Sequence, residues 1–67
     1  MTFYKVFFQD GTWEQIVLQA MASEQFRLAN GGESNAQLAL KQAREKFPGR
    51  TPIRLERSMT GRVEWQA

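Results

Sequence analysis

Residues 2–20, TFYKVFFQDGTWEQIVLQA, decide the architecture, because two runs of strand-type residues meet there at a turn. Thr2 to Phe8 is rich in aromatic and β-branched types, Asp10-Gly11 is a strong hairpin signal, and Trp13 to Ala20 resumes an apolar and polar mixture. A three-residue loop of Gln9, Asp10 and Gly11, with the glycine in the left-handed region, pairs Phe8 with Thr12, Phe7 with Trp13 and Tyr4 with Ile16. The two-residue period then gathers Tyr4, Val6, Phe8, Ile16, Leu18 and Ala20 on one face, and Phe3, Lys5, Phe7, Trp13, Gln15 and Val17 on the other.

The second run also fits a helix. Trp13, Ile16, Val17, Ala20 and Met21 fall at helical spacing, with Thr12 and Gln15 placed as a capping box. The strand is the preferred reading, because Phe3 to Phe8 otherwise lacks an adjacent antiparallel partner.

Outward from this hairpin, Ser23 and Glu24 read as an N-cap and a first-turn acid, giving a short helix over Glu24 to Ala29 that Asn30, Gly31 and Gly32 end. Ser34 and Gln37 form a second capping box, and Pro48-Gly49 closes the longer helix it starts, Asn35 to Phe47. Ala36, Ala39, Leu40, Ala43 and Phe47 line one stripe of that helix, while Leu38, Lys41, Gln42 and Glu45 are expected to face away. Ile53 to Ser58 alternates, Met59, Thr60 and Gly61 suit a three-residue loop, and Arg62 to Gln66 alternates again. That loop pairs Leu55 with Trp65 and Arg57 with Val63, so Ile53, Leu55, Val63 and Trp65 are expected to share a face.

The sum is a small α+β domain, residues 1–67, of order β-β-α-β-β: a four-stranded antiparallel sheet with one main helix packed on one face. Hydrophobic residues at 42% and charged residues at 24% suit a folding chain. With neither Cys nor His, the chain forms no disulfide, zinc site or thiol–imidazole nucleophile. Its acids are scattered over turns, caps and strand faces, and Gly31-Gly32 matches no phosphate-loop pattern. No enzymatic activity, catalytic residue, metal or cofactor is therefore expected. The opening MTFYKVFF lacks the plan of a signal peptide, and no apolar run approaches the ~18 residues of a membrane span, so a soluble, cytoplasmic protein is expected.

Two groups of residues are candidate partner-binding surfaces. One is the outer aromatic face of the first hairpin, Phe3, Lys5, Phe7 and Trp13, the kind of sheet face that stacks bases, docks a protein or pairs with a second copy. The other is a basic run, Lys41, Arg44, Lys46, Arg50, Arg54, Arg57 and Arg62. It gives the chain after Glu33 a net +4, whereas residues up to Glu33 carry −2. Lys46, Arg50, Arg54, Arg57 and Arg62 complete the candidate binding set, suited to an acidic protein surface or to phosphates.

A short cysteine-free chain with an Asp10-Gly11 hairpin, one alanine-rich helix ending in Phe47-Pro48-Gly49 and a C-terminal hairpin resembles small phage and mobile-element proteins, particularly anti-CRISPR inhibitors of type I systems. The resemblance is one of size and layout. It implies a stoichiometric inhibitor in the cytoplasm of a bacterial host, binding a CRISPR effector subunit and blocking DNA binding or nuclease recruitment. Two alternatives stay open: a nucleic-acid-binding protein using the sheet aromatics and the basic patch, against which a net charge of only +2 argues, and a homodimer that buries the aromatic face.

Overall fold

Two hairpins bracket two helices in the computed structural model, which describes every residue from Met1 to Ala67. The elements are β1 (Thr2–Phe8), β2 (Trp13–Leu18), α1 (Glu24–Ala29), α2 (Asn35–Lys46), β3 (Pro52–Arg57) and β4 (Val63–Gln66). The four strands make one antiparallel sheet of order β2-β1-β3-β4. The small α+β fold is therefore as expected, with the two hairpins joined through β1 and β3 at the centre of the sheet.

The first hairpin takes the expected register, from Thr2 opposite Leu18 to Phe7 opposite Trp13. Gly11, at φ +86°, supplies the left-handed residue the loop requires, and its N–H donates to the Phe8 carbonyl at 3.0 Å while Phe8 N–H donates to Thr12 at 2.8 Å. The helical alternative for residues 13–21 is not adopted. β2 stops at Leu18, so Ala20 lies exposed beyond the strand instead of joining the core face.

Ser34 and Gln37 cap α2 reciprocally, and its small side chains let it lie close on the sheet: Ala39 and Ala43 are wholly buried, with Leu40 nearly so. Phe47 is the C-cap, one residue past the helix, and its ring meets Phe8 edge-on with centroids 5.7 Å apart. Tyr4, Val6, Phe8, Ile16, Leu18 and Leu55 complete one core. Leu38, expected to face away, instead packs half-buried against it, because a lone helix over a four-stranded sheet leaves room for side chains to fold down along its flanks.

The second hairpin departs from expectation. Arg57 N–H donates to Arg62 and Gly61 N–H donates back to Arg57, so Ser58 joins Met59, Thr60 and Gly61 in a four-residue loop. A bulge at Glu64 restores the pairing of Leu55 with Trp65 but sets Val63 opposite Glu56. A second irregularity, between Arg54 and Pro52, displaces Ile53. Ile53 and Val63 are consequently exposed, and Pro52 and the half-buried Glu64 take places nearer the core.

α1 buries none of its residues and is held by polar contacts. Its Arg27 guanidinium donates to the Ala22 carbonyl, to the Glu33 carbonyl at 3.0 Å and to the Asn35 side chain, and Glu24 accepts the Asn35 N–H at 2.7 Å. The connection to α2 is thus tied across its two glycines by two charged side chains of α1, Arg27 and Glu24. No helix is long and apolar enough to cross a membrane.

Candidate functional site

α2 covers one face of the sheet and leaves the other open, and the strand registers arrange the open face in rows. One row runs Trp13, Phe7, Arg54, Gln66; the next runs Gln15, Lys5, Glu56, Val63; Val17 and Phe3 begin a third. Trp13 is 51% exposed, Val63 46% and Phe3 36%, so the face presents apolar surface to solvent while Phe7 sits half-buried at its centre.

Its cations lie on its rings. The Arg54 guanidinium is 4.1 Å from the Phe7 ring centre and the Lys5 ammonium 4.8 Å from that of Trp13. Arg54 also forms an ion pair with Glu56 at 2.9 Å, although its N–H does not point at the oxygen. Lys5 has no carboxylate within ion-pair distance: Glu56, opposite it on β3, is paired with Arg54. At the Phe3 end the face runs into a cleft of about 330 Å³ lined by Met1, Thr2, Phe3, Arg57, Met59 and Thr60.

Of the residues singled out from the sequence, Phe3, Lys5, Phe7, Trp13 and Arg54 are brought together here. The basic run is not one patch. Arg50 closes the far end of the core: it stacks on Phe8 at 4.0 Å and Phe47 at 5.3 Å, pairs with Glu14 at 3.0 Å and Asp10 at 3.7 Å, and donates to the Thr12 hydroxyl. Arg57 lies on the helix side, paired with Glu64 at 2.8 Å, although its N–H does not point at the oxygen. Lys46 ends α2 on the opposite side of the sheet, over Phe47, and Arg62 is exposed at the second turn. Lys41, also on α2, meets Glu33 at 3.8 Å. Proximity in sequence misled here because alternation in a strand sends Arg54 and Arg57 to opposite faces.

Sequence reasoning missed Glu56, Val63 and Gln66 as members of the open face. Glu56 was findable, since it lies two residues from Arg54 on the same strand; Val63 was not, because its side depends on the bulge at Glu64.

Three titrating groups are shifted, Tyr4, Asp10 and Arg57, all away from this face; Arg57 is raised, chiefly by its contact with the Tyr4 hydroxyl. Burial, and then the hydroxyl's 3.0 Å hydrogen bond to Glu64, holds the Tyr4 phenol above its ordinary value. Hydrogen bonds from the Thr12 hydroxyl and backbone N–H hold Asp10 below the usual carboxylate range. Most of the acids have partners: Asp10 and Glu14 with Arg50, Glu24 with Asn35, Glu33 with Lys41, Glu56 with Arg54, Glu64 with Arg57 and Tyr4. No family model matches the chain, and no curated protein or solved structure matches it.

Proposed function

We propose that this chain is a non-enzymatic protein-binding module that grips its partner with the open sheet face, and that it acts as a stoichiometric inhibitor of the anti-CRISPR kind, occupying an effector subunit to block DNA binding or nuclease recruitment. The supporting observation is the row Trp13, Phe7, Arg54 beside Lys5: an exposed and a half-buried ring with cations already on them, on a face that no helix covers. Tryptophan and arginine are the side chains that most often dominate binding energy at protein interfaces. Arg54 is ordered by Phe7 and Glu56 before any partner arrives, so little side-chain freedom is lost on docking. With Glu56 engaged by Arg54, Lys5 favours a partner that brings a carboxylate to the centre of the contact.

Single-stranded nucleic acid would use the same rings for stacking. The face carries only Lys5 and Arg54, with Arg54 tied to Glu56, and so lacks the cations that track a phosphate backbone. The test is capture from a CRISPR-bearing bacterial lysate treated with nuclease. An effector subunit should be retained by the native chain and lost with Trp13→Ala combined with Arg54→Glu, at unchanged circular dichroism. Retention by that double variant, or capture that vanishes with the nucleic acid, would overturn the proposal.

A further inference from the structure

The two edges of the sheet are built differently. β4 is short, carries the bulge at Glu64 and so offers no regular row of backbone groups. β2 pairs with β1 without irregularity from Trp13 to Leu18, and contains no proline, no lysine and a single charge, Glu14. Of the usual devices that discourage strand addition it carries only one, the helix-side charge of Glu14, and that carboxylate is neutralised by Arg50 at 3.0 Å.

The hydrogen-bond phase says which groups are free. Phe8 N–H donates to Thr12, so the alternation of an antiparallel ladder turns Glu14, Ile16 and Leu18 toward β1 and leaves the N–H and C=O groups of Trp13, Gln15 and Val17 pointing outward. One of them is occupied: the Gln42 side-chain amide reaches from α2 to the Val17 carbonyl at 3.1 Å. A carbonyl oxygen has a second lone pair, so this contact does not close the edge.

We infer that two copies of the chain associate through this edge, β2 against β2 in antiparallel register with Gln15 opposite its own copy. In that register every outward group of β2 is paired, because Trp13 meets Val17 of the second copy on either side of the axis. Charge repulsion disfavours one neighbouring register. Glu14 falls opposite Ile16, whereas the neighbouring symmetric register that centres on Glu14 sets two carboxylates against each other. The cross-strand neighbours on the open face become Trp13 with Val17, a favourable aromatic and β-branched pair. Since the two-fold axis stands perpendicular to the sheet, both open faces look the same way and join into one eight-stranded surface.

Sedimentation of the whole chain over low to high micromolar concentrations tests this. The native protein should pass from monomer to dimer, with the Gln15 and Trp13 amides exchanging more slowly with deuterium as the dimer forms. Gln15→Lys, which sets two ammonium groups face to face on an exposed site, should raise the dissociation constant at least ~10-fold. Gln15→Pro, whose missing N–H points away from β1, should do the same with the fold intact; should that variant unfold, Gln15→Lys alone decides. Phe7→Ser, on the open face but off the edge, should leave the dimer unchanged. A chain that stays monomeric throughout would overturn the inference. So would a dimer indifferent to Gln15→Lys, or one lost with Phe7→Ser, which would place the contact on the face instead.

Discussion

The two faces of the sheet carry the same trio of side chains. On the helix side, Arg57 lies 5.9 Å from the Tyr4 ring centre and pairs with Glu64; on the open side, Arg54 lies 4.1 Å from the Phe7 ring centre and pairs with Glu56. Both are a ring on β1, an arginine on β3 and a carboxylate. What differs is the surroundings. Tyr4 is wholly buried and its hydroxyl donates to Glu64, so that trio ties β1, β3 and β4 together at the edge of the core. Phe7 has solvent above it and its trio ends on Glu56 of the same strand, beside the exposed Trp13. The same chemistry thus serves cohesion on one face and is offered for contact on the other, and the placement of α2 makes the distinction.

Substitutions on the two faces should therefore diverge. Leu40→Asp sets a charge between α2 and the sheet, where Leu40 is 5% exposed, and is expected to remove about 3–5 kcal/mol, on the scale of a small domain's whole stability. Circular dichroism should show an unfolded chain; a native thermal midpoint would mean that the helix does not sit on this core. Phe7→Ser, on the open side, should keep the fold.

The carboxylates sharpen the contrast. Glu64→Ala strips the Tyr4 hydroxyl and Arg57 of their partner and should destabilise by about 1–2 kcal/mol, discounted for the partial exposure of Arg57. Glu56→Ala breaks a surface pair within one strand and should change stability by no more than about 0.5 kcal/mol. Equal losses in denaturant titration would erase the distinction drawn between the faces.

The smallest effect is in alkali. The Tyr4 phenol is held above its ordinary value, so above about pH 10 the unfolded chain has lost a proton that the folded chain retains, and stability falls as pH rises further. Below that pH the contribution is fully present and flat. Tyr4→Phe should lack this alkaline limb, measured as the difference between the two stability curves. As the only tyrosine, Tyr4 also reports its own titration through phenolate absorbance. Coincident curves, or an unshifted titration, would mean that the hydroxyl is not buried against Glu64.

The register of the first hairpin was legible to the residue, though not the end of β2, because its turn chemistry is local: Asp10 and Gly11 fix the loop, the loop fixes the register, and the register sorts Phe3, Lys5, Phe7 and Trp13 from Tyr4, Val6 and Phe8. The caps at Ser23 and Ser34 were legible for the same reason. The second hairpin was not. Met59-Thr60-Gly61 fits a three-residue loop as well as the observed four, and one residue more in the loop turns Val63 to the other face until the bulge at Glu64 corrects the phase. Nothing local announces that bulge; the residue it adds, Glu64, turns inward to accept the hydroxyl of Tyr4, sixty positions away.

By itself, then, the sequence determined the elements, the faces of β1 and β2 and the stripe of α2, since each follows from neighbours within a few residues. Only the tertiary structure decided that Arg54 belongs with Phe7 and Arg57 with Tyr4, that Arg50 closes the core, and that β2 is the regular edge. Those choices depend on the strand order and on one helix covering one face, and both are settled by contacts between residues far apart in the chain.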